Sequence, residues 1–179
     1  MTGQAVGPVS AVDPADLAAL ARQLGRPPRG VVGIAARCVC GAPLVARTAP
    51  RLPDGTPFPT TYYLTHPVAA SAIGRLESQG LMAQMNQRLA SDPDLAAAHA
   101  AAHRDYLARR AELGQVPEIE GVSAGGMPTR VKCLHVLAAH ALAVGPGVNR
   151  LGDETLAAVA PWWRPDVCAC AAVEGDGDA

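Results

Sequence analysis

Five cysteines and five histidines carry most of the chemistry open to this chain, and their spacing sorts them into groups. Cys38-Val-Cys40-Gly41 sets two thiols one residue apart. Alternate residues of a strand share a face, so both sulfurs can reach one ion or a dithiol partner. Gly41 permits a tight turn whose backbone N–H groups point at the sulfurs and favour thiolate. Metal knuckles usually have two intervening residues rather than one, so the competing reading is one buried core cysteine and one incidental cysteine. Cys168-Ala-Cys170 repeats the spacing in a segment that reads as a mobile tail. A four-thiolate site built from both pairs would fasten that tail down, but it ranks behind the reading of unremarkable tail cysteines.

The stretch from Ser123 to His135, SAGGMPTRVKCLH, is the second candidate. Gly125-Gly126 followed by Pro128 reads as a loop feeding a helix over 128–144, whose free N–H groups can hold an anion. Ser123, Gly125, Gly126, Arg130 and Lys132 are therefore the candidate anion-binding residues. On a regular helix, Cys133 and His135 point about 200° apart, and Cys133 and His140 lie about 10 Å apart along the axis. This helix then offers one ligand, Cys133, while His135 orients the site or acts as acid/base; His135 and Lys132 are the catalytic candidates. The competing reading is a Cys and a His flanking the apolar stripe of Val131, Leu134, Leu137 and Leu142. His66 ends a strand ahead of a proline-started helix, where functional side chains and capping histidines both occur. His99 and His103 have chelating spacing, but no Glu follows His99, so both read as surface or packing residues. Arg47, Arg51, Asp54 and Glu77 are candidates for a polar pocket.

These residues need positioning elements. Asp13-Pro14 opens a helix with Leu17, Leu20 and Leu24 on one face, and Gly25 closes it. Val31, Val32 and Ile34, then Leu44 and Val45, form two β-prone runs joined as a hairpin across the Cys38–Cys40 segment. Four prolines and an Asp-Gly over 50–59 predict a rigid loop, and TTYYLT at 60–65 predicts the strongest strand. Helices are predicted from Pro67 and over 82–90, 92–113, 128–144 and 153–160. The expectation is an α+β fold: a small three-stranded antiparallel or mixed sheet early in the chain, packed by five or six helices. Residues 1–12 are expected as a disordered arm, 13–163 as a single domain, and 164–179 as a flexible tail.

Composition narrows the function classes. At 179 residues the chain suits one domain, and 36 of its residues are alanine, which predicts a thin core with close packing. Fifteen basic against 16 acidic residues create no field for nucleic acid. Fourteen of the basic residues are Arg; Lys132 is the single lysine. The longest apolar stretch, 136–145, is about half a membrane span, so membrane insertion is not expected. No signal peptide is visible, so a cytoplasmic location is expected, where cysteines are thiols, ligands or catalysts rather than disulfides.

Taken together, GVVGIAARCVCGAPLVARTAPRLPDGTPFPTTYYLTHP, RLESQGLM, SAGGMPTRVKCLH and GVNRLGDE resemble an uncharacterised bacterial family, domain of unknown function 501, over roughly residues 26–158. The resemblance implies a small cytoplasmic protein, often encoded near a septum-formation initiator and an exopolyphosphatase, and brings no established activity with it. It carries over Cys38, His66, Cys133 and His135. Some relatives have Cys-Pro where this chain has His66-Pro67, an exchange that a metal ligand permits. Cys40 departs from relatives without cysteine there, and Cys168 and Cys170 lie outside the resemblance.

The resulting expectation is a metal-binding protein holding zinc or an iron–sulfur cluster through Cys38, His66 and Cys133, with His135 or Cys40 completing the set. The loop around Ser123–Met127 would hold a small anionic ligand. Two rivals stand beside it: a non-catalytic interaction protein of cell division or envelope growth, its protein partner unknown, and a thiol-dependent enzyme.

Overall fold

The computed structural model describes residues 9–170. The parts of the expected arm and tail at 1–8 and 171–179 lie outside the described residues. Asp13 and Asp16 form a reciprocal capping box at the start of α1 (Pro14–Leu24), with Pro14 at its first position and Gly25 ending it. An antiparallel sheet follows in the order β1 (Val31–Arg37), β2 (Pro43–Thr48), β3 (Tyr62–Leu64). The helices α2 (Pro67–Ser78), α3 (Leu81–Ser91), α4 (Pro93–Ala111), α5 (Leu134–Val144) and α6 (Arg150–Val159) come after it, with one 3₁₀ turn at Pro117–Ile119. The fold is α+β, with the sheet early and six helices in all. Upstream of α1, Ser10 exchanges backbone hydrogen bonds with Ile34 on the outer edge of β1.

The sheet separates two apolar layers, as its period of two requires. Ile34 and Ala46 meet Leu20 of α1 on one side. Ala35, Val45, Tyr62 and Leu64 join the main core on the other, with Leu134, Leu137 and Ala138 of α5. Much of that core is alanine, so its backbones must run close together. The tightest approach is between α5 and α6: a Cβ at Gly152 would lie 2.3 Å from the Leu137 carbonyl oxygen. No side chain fits there.

A buried polar knot ties β3, α4, α5 and α6 together. His140 is fully buried and stacks on Tyr62 at 5.6 Å, with Tyr106 edge-on at 5.2 Å. Its Nδ1 accepts from the Asn149 side-chain amide (3.2 Å), so Nε2 carries the hydrogen and donates to Asp105 (3.0 Å). Asn149 also caps α6 by accepting from the Gly152 N–H at 3.0 Å.

The strand predicted over 60–65 is only Tyr62–Leu64, the shortest of the three, and two helix starts also move. The helix expected over 128–144 begins at Leu134, because the preceding residues are held in other shapes. The Lys132 and Arg130 amides bond back to the Gly125 and Gly126 carbonyls, and Asn86 of α3 clamps both backbone groups of Val131 (2.8 and 2.9 Å). The helix expected from residue 153 starts three residues earlier, at Arg150, where Asn149 supplies the cap.

Gly152→Ala is expected to cost about 1–3 kcal/mol or more through overpacking, read as a lower urea midpoint. Gly74→Ala, in α2 with open space at its Cβ, should instead stabilise by about 0.5–1 kcal/mol. Burial pushes the His140 pKa below its usual 6.5 despite the pull of Asp105. The unfolded chain therefore takes up a proton that the folded one refuses, and stability present above about pH 6.5 is lost as pH falls below it. His140→Gln should make the loss between about pH 6.5 and 5 shallower in urea titrations, while lowering stability at neutral pH.

Candidate metal centre

The β1–β2 hairpin builds one half of the site. Cys38 donates its N–H to Ala42 O, and Gly41 donates to Cys38 O, both at 2.8 Å, which closes a tight turn over Cys38–Ala42. Gly41 takes φ 90° there, a conformation costly for residues with a Cβ. The turn holds Cys38 buried and Cys40 exposed. Arg37 braces its base by two parallel bonds to the buried Asp16 carboxylate (2.7 and 2.8 Å), with further bonds to Gly41 O and Ser10 Oγ. Gln23 adds a bond from α1 to Pro43 O at 2.9 Å.

The other half arrives after α6. Trp163 is buried beside His66, with ring centroids 6.0 Å apart, and directs the following residues back to the hairpin. Cys168 and Cys170 thereby meet Cys38 and Cys40, and the four Sγ atoms all lie within 4.8 Å of one another. Cys40 and Cys170 are 3.4 Å apart. Four thiols so placed could hold a metal ion.

The surroundings favour thiolate at one edge. The Ala42 backbone N–H, then Cys170, lowers the Cys40 pKa to about 7, whereas burial pushes Cys38 and Cys170 up. His66 stands against the group from the start of α2. Its Nδ1 accepts from the Ala69 N–H as a helix cap, which leaves the hydrogen on Nε2, 3.4 Å from Cys170 Sγ. In this geometry His66 donates to a sulfur rather than completing the ligand set. A pocket of about 390 Å³, lined in part by Arg22, Gln23, His66 and Cys170, opens beside it.

Cys133 and His135 fall into a different group, with Glu77 of α2. Cys133 is not within a helix: as N-cap of α5 it is extended (φ −155°, ψ 115°), so the helical offset separating it from His135 does not apply. Their Sγ and Nδ1 are 3.9 Å apart. The Cys133 sulfur, then the Glu77 carboxylate and the Ala70 carbonyl, raise the His135 pKa to about 9 against the effect of burial.

The remaining candidates are dispersed. Ser123 is buried and bonds His103 at 2.9 Å, and His99 contacts the Arg130 carbonyl at 3.2 Å, so both histidines pack against the 123–130 loop. Arg130 and Lys132 are exposed. The α5 N-terminus that was to receive an anion already faces one, since Leu134 N–H donates to Glu77 Oε1 at 2.7 Å. Arg47 pairs with Glu112, Arg51 with Glu118, and Asp54 with Arg29, so they and Glu77 do not share one pocket.

The repeat of Cys-x-Cys at 38–40 and 168–170 is the sequence signal that links the two halves of this site. Glu77 carries no such signal; it reaches its partners across 57 residues.

The fold and these groups define a small α+β domain with two clusters of metal-ligating residue types, one all thiol and one mixing thiol, imidazole and carboxylate. The chain belongs to the family described as Protein of unknown function (DUF501), which matches residues 34–157, over two-thirds of its 179 residues. No curated protein and no solved structure matches it. Cys168 and Cys170 lie beyond the matched residues, whereas Cys38, Cys40, His66, Glu77, Cys133 and His135 lie within them. Among the described residues, no helix is long and apolar enough to cross a membrane.

In metal-free protein at neutral pH, Cys40 should be the first of the four clustered thiols alkylated by iodoacetamide, because it is exposed and its thiolate is abundant. Buried Cys38 should be the last, as peptide mass spectrometry of a time course would read.

Proposed function

We propose that this protein is a zinc-binding domain whose ion is held by Cys38, Cys40, Cys168 and Cys170. The observation that carries the reading is the convergence of four sulfurs from the β1–β2 hairpin and the segment after α6. Zn–S bonds near 2.3 Å in a tetrahedron set sulfurs about 3.8 Å apart, and the spacing here, all within 4.8 Å, suits a single ion. An iron–sulfur cluster spreads its thiolates around more than one iron and needs a wider cage, so zinc is the better match. Four thiolates close the coordination sphere, which supports a structural rather than a hydrolytic role. The ion would staple the segment after α6 to the β1–β2 hairpin, and His66 Nε2–H would relieve the charge on Cys170. An alanine-rich core gives such a staple energetic purpose.

Zinc is expected in protein purified under reducing conditions, and Cys168→Ser with Cys170→Ser should remove the ion of this site and lower the melting temperature. Protein that is folded, metal-free and unchanged in melting temperature by chelator would sink the reading.

A further inference from the structure

We propose that Glu77, Cys133 and His135 form a second, independent zinc site with an open coordination position. Three different donors meet there from α2, α5 and the residue capping α5: His135 Nδ1 lies 3.2 Å from Glu77 Oε1 and 3.9 Å from Cys133 Sγ. Tetrahedral zinc with ordinary N, O and S bond lengths places such pairs about 3.4 and 3.6 Å apart. The donors already stand close to those separations.

The ring's orientation suits a metal ligand. His135 Nε2 lies 3.0 Å from the Ala70 carbonyl oxygen, an acceptor only, so Nε2 must carry a hydrogen. Nδ1 then faces Glu77 Oε1 and Cys133 Sγ across one shared space. An ion in that space would meet all three donor atoms at once. A histidine whose far nitrogen donates to a backbone carbonyl is the usual arrangement of a metal-ligating imidazole.

The donors are also held in place before any ion arrives. The Leu134 N–H fixes the Glu77 carboxylate at 2.7 Å. Asn86 clamps Val131, and His99 contacts the Arg130 carbonyl, so the chain leading into Cys133 is tied to α3 and α4. Side-chain exposures of 30% for His135 and 23% for Glu77 leave an entry path. With three protein donors, the fourth tetrahedral position is left to water or a substrate atom, which is how reactive zinc differs from the closed four-cysteine arrangement.

The test is zinc stoichiometry on the full chain, loaded with Zn²⁺ and freed of excess by gel filtration. Wild type should carry two equivalents; Cys133→Ser and His135→Ala should each carry one, and Glu77→Gln should release its second equivalent to a weak chelator first. A Cys40→Ser/Cys168→Ser variant should lose the other equivalent. If Cys133→Ser loses an equivalent while Cys40→Ser/Cys168→Ser loses none, this site stands and the four-cysteine reading alone fails. Equal zinc in wild type and in Cys133→Ser/His135→Ala overturns the second site. In wild type, which avoids any folding defect of the variants, saturating Zn²⁺ should slow alkylation of Cys133 at least tenfold; an unchanged rate overturns the site as well.

Discussion

The missing side chain at Gly152 sets the distance between α5 and α6. A Cβ there would overlap the Leu137 carbonyl, so the two helices can lie this close only with a hydrogen at that position. Close approach is how an alanine-rich chain acquires a core: short side chains reach a partner only when the backbones nearly touch. Asn149 works in the same place, capping α6 and holding the buried His140 in one tautomer. The path of α6 then decides where Val159 ends, where Trp163 packs, and which way residues 164–170 run. The meeting of Cys168 and Cys170 with the hairpin is therefore a consequence of helix packing some distance from either pair.

The two donor groups use opposite strategies. The four-cysteine group depends on the end of the described chain returning to its first hairpin, and its sulfurs span exposed and buried positions. The Glu77–Cys133–His135 group is set into the junction of α2 and α5, where hydrogen bonds from Leu134 and to Ala70 fix its members. One arrangement would close the coordination of an ion and tie segments together. The other leaves an edge open to solvent. A chain with a thin core gains most from the first kind, whereas chemistry on a bound molecule needs the second.

His66 shows how one residue type carries two readings that only hydrogen bonds separate. At the end of a strand and before Pro67 it could be a ligand or a cap. In the structure Nδ1 caps α2, and that commitment turns Nε2 into a donor toward Cys170. His99, His103 and His140 resolve in the same way, each drawn into internal contacts that hold the helices and the 123–130 loop together.

Read alone, the sequence determined the elements whose signals are local. Asp13-Pro14 and Gly25 bound α1, the β-branched runs on either side of Cys38–Cys40 make a hairpin, and Pro67 starts α2. The α+β class and the soft-donor chemistry of the cysteines follow from such signals too. It could not place α5, because a Gly-Gly-Met-Pro stretch is compatible with a helix start until Asn86, 45 residues away, claims Val131. It offered the join of Cys38 and Cys40 to Cys168 and Cys170 only as the lesser reading, and could not join Glu77 to His135, because periodicity reports only which neighbours share a face. Which distant faces meet was decided by tertiary packing: by how closely α6 lies on α5, by the docking of Trp163, and by the carboxylate of α2 reaching the N-terminus of α5.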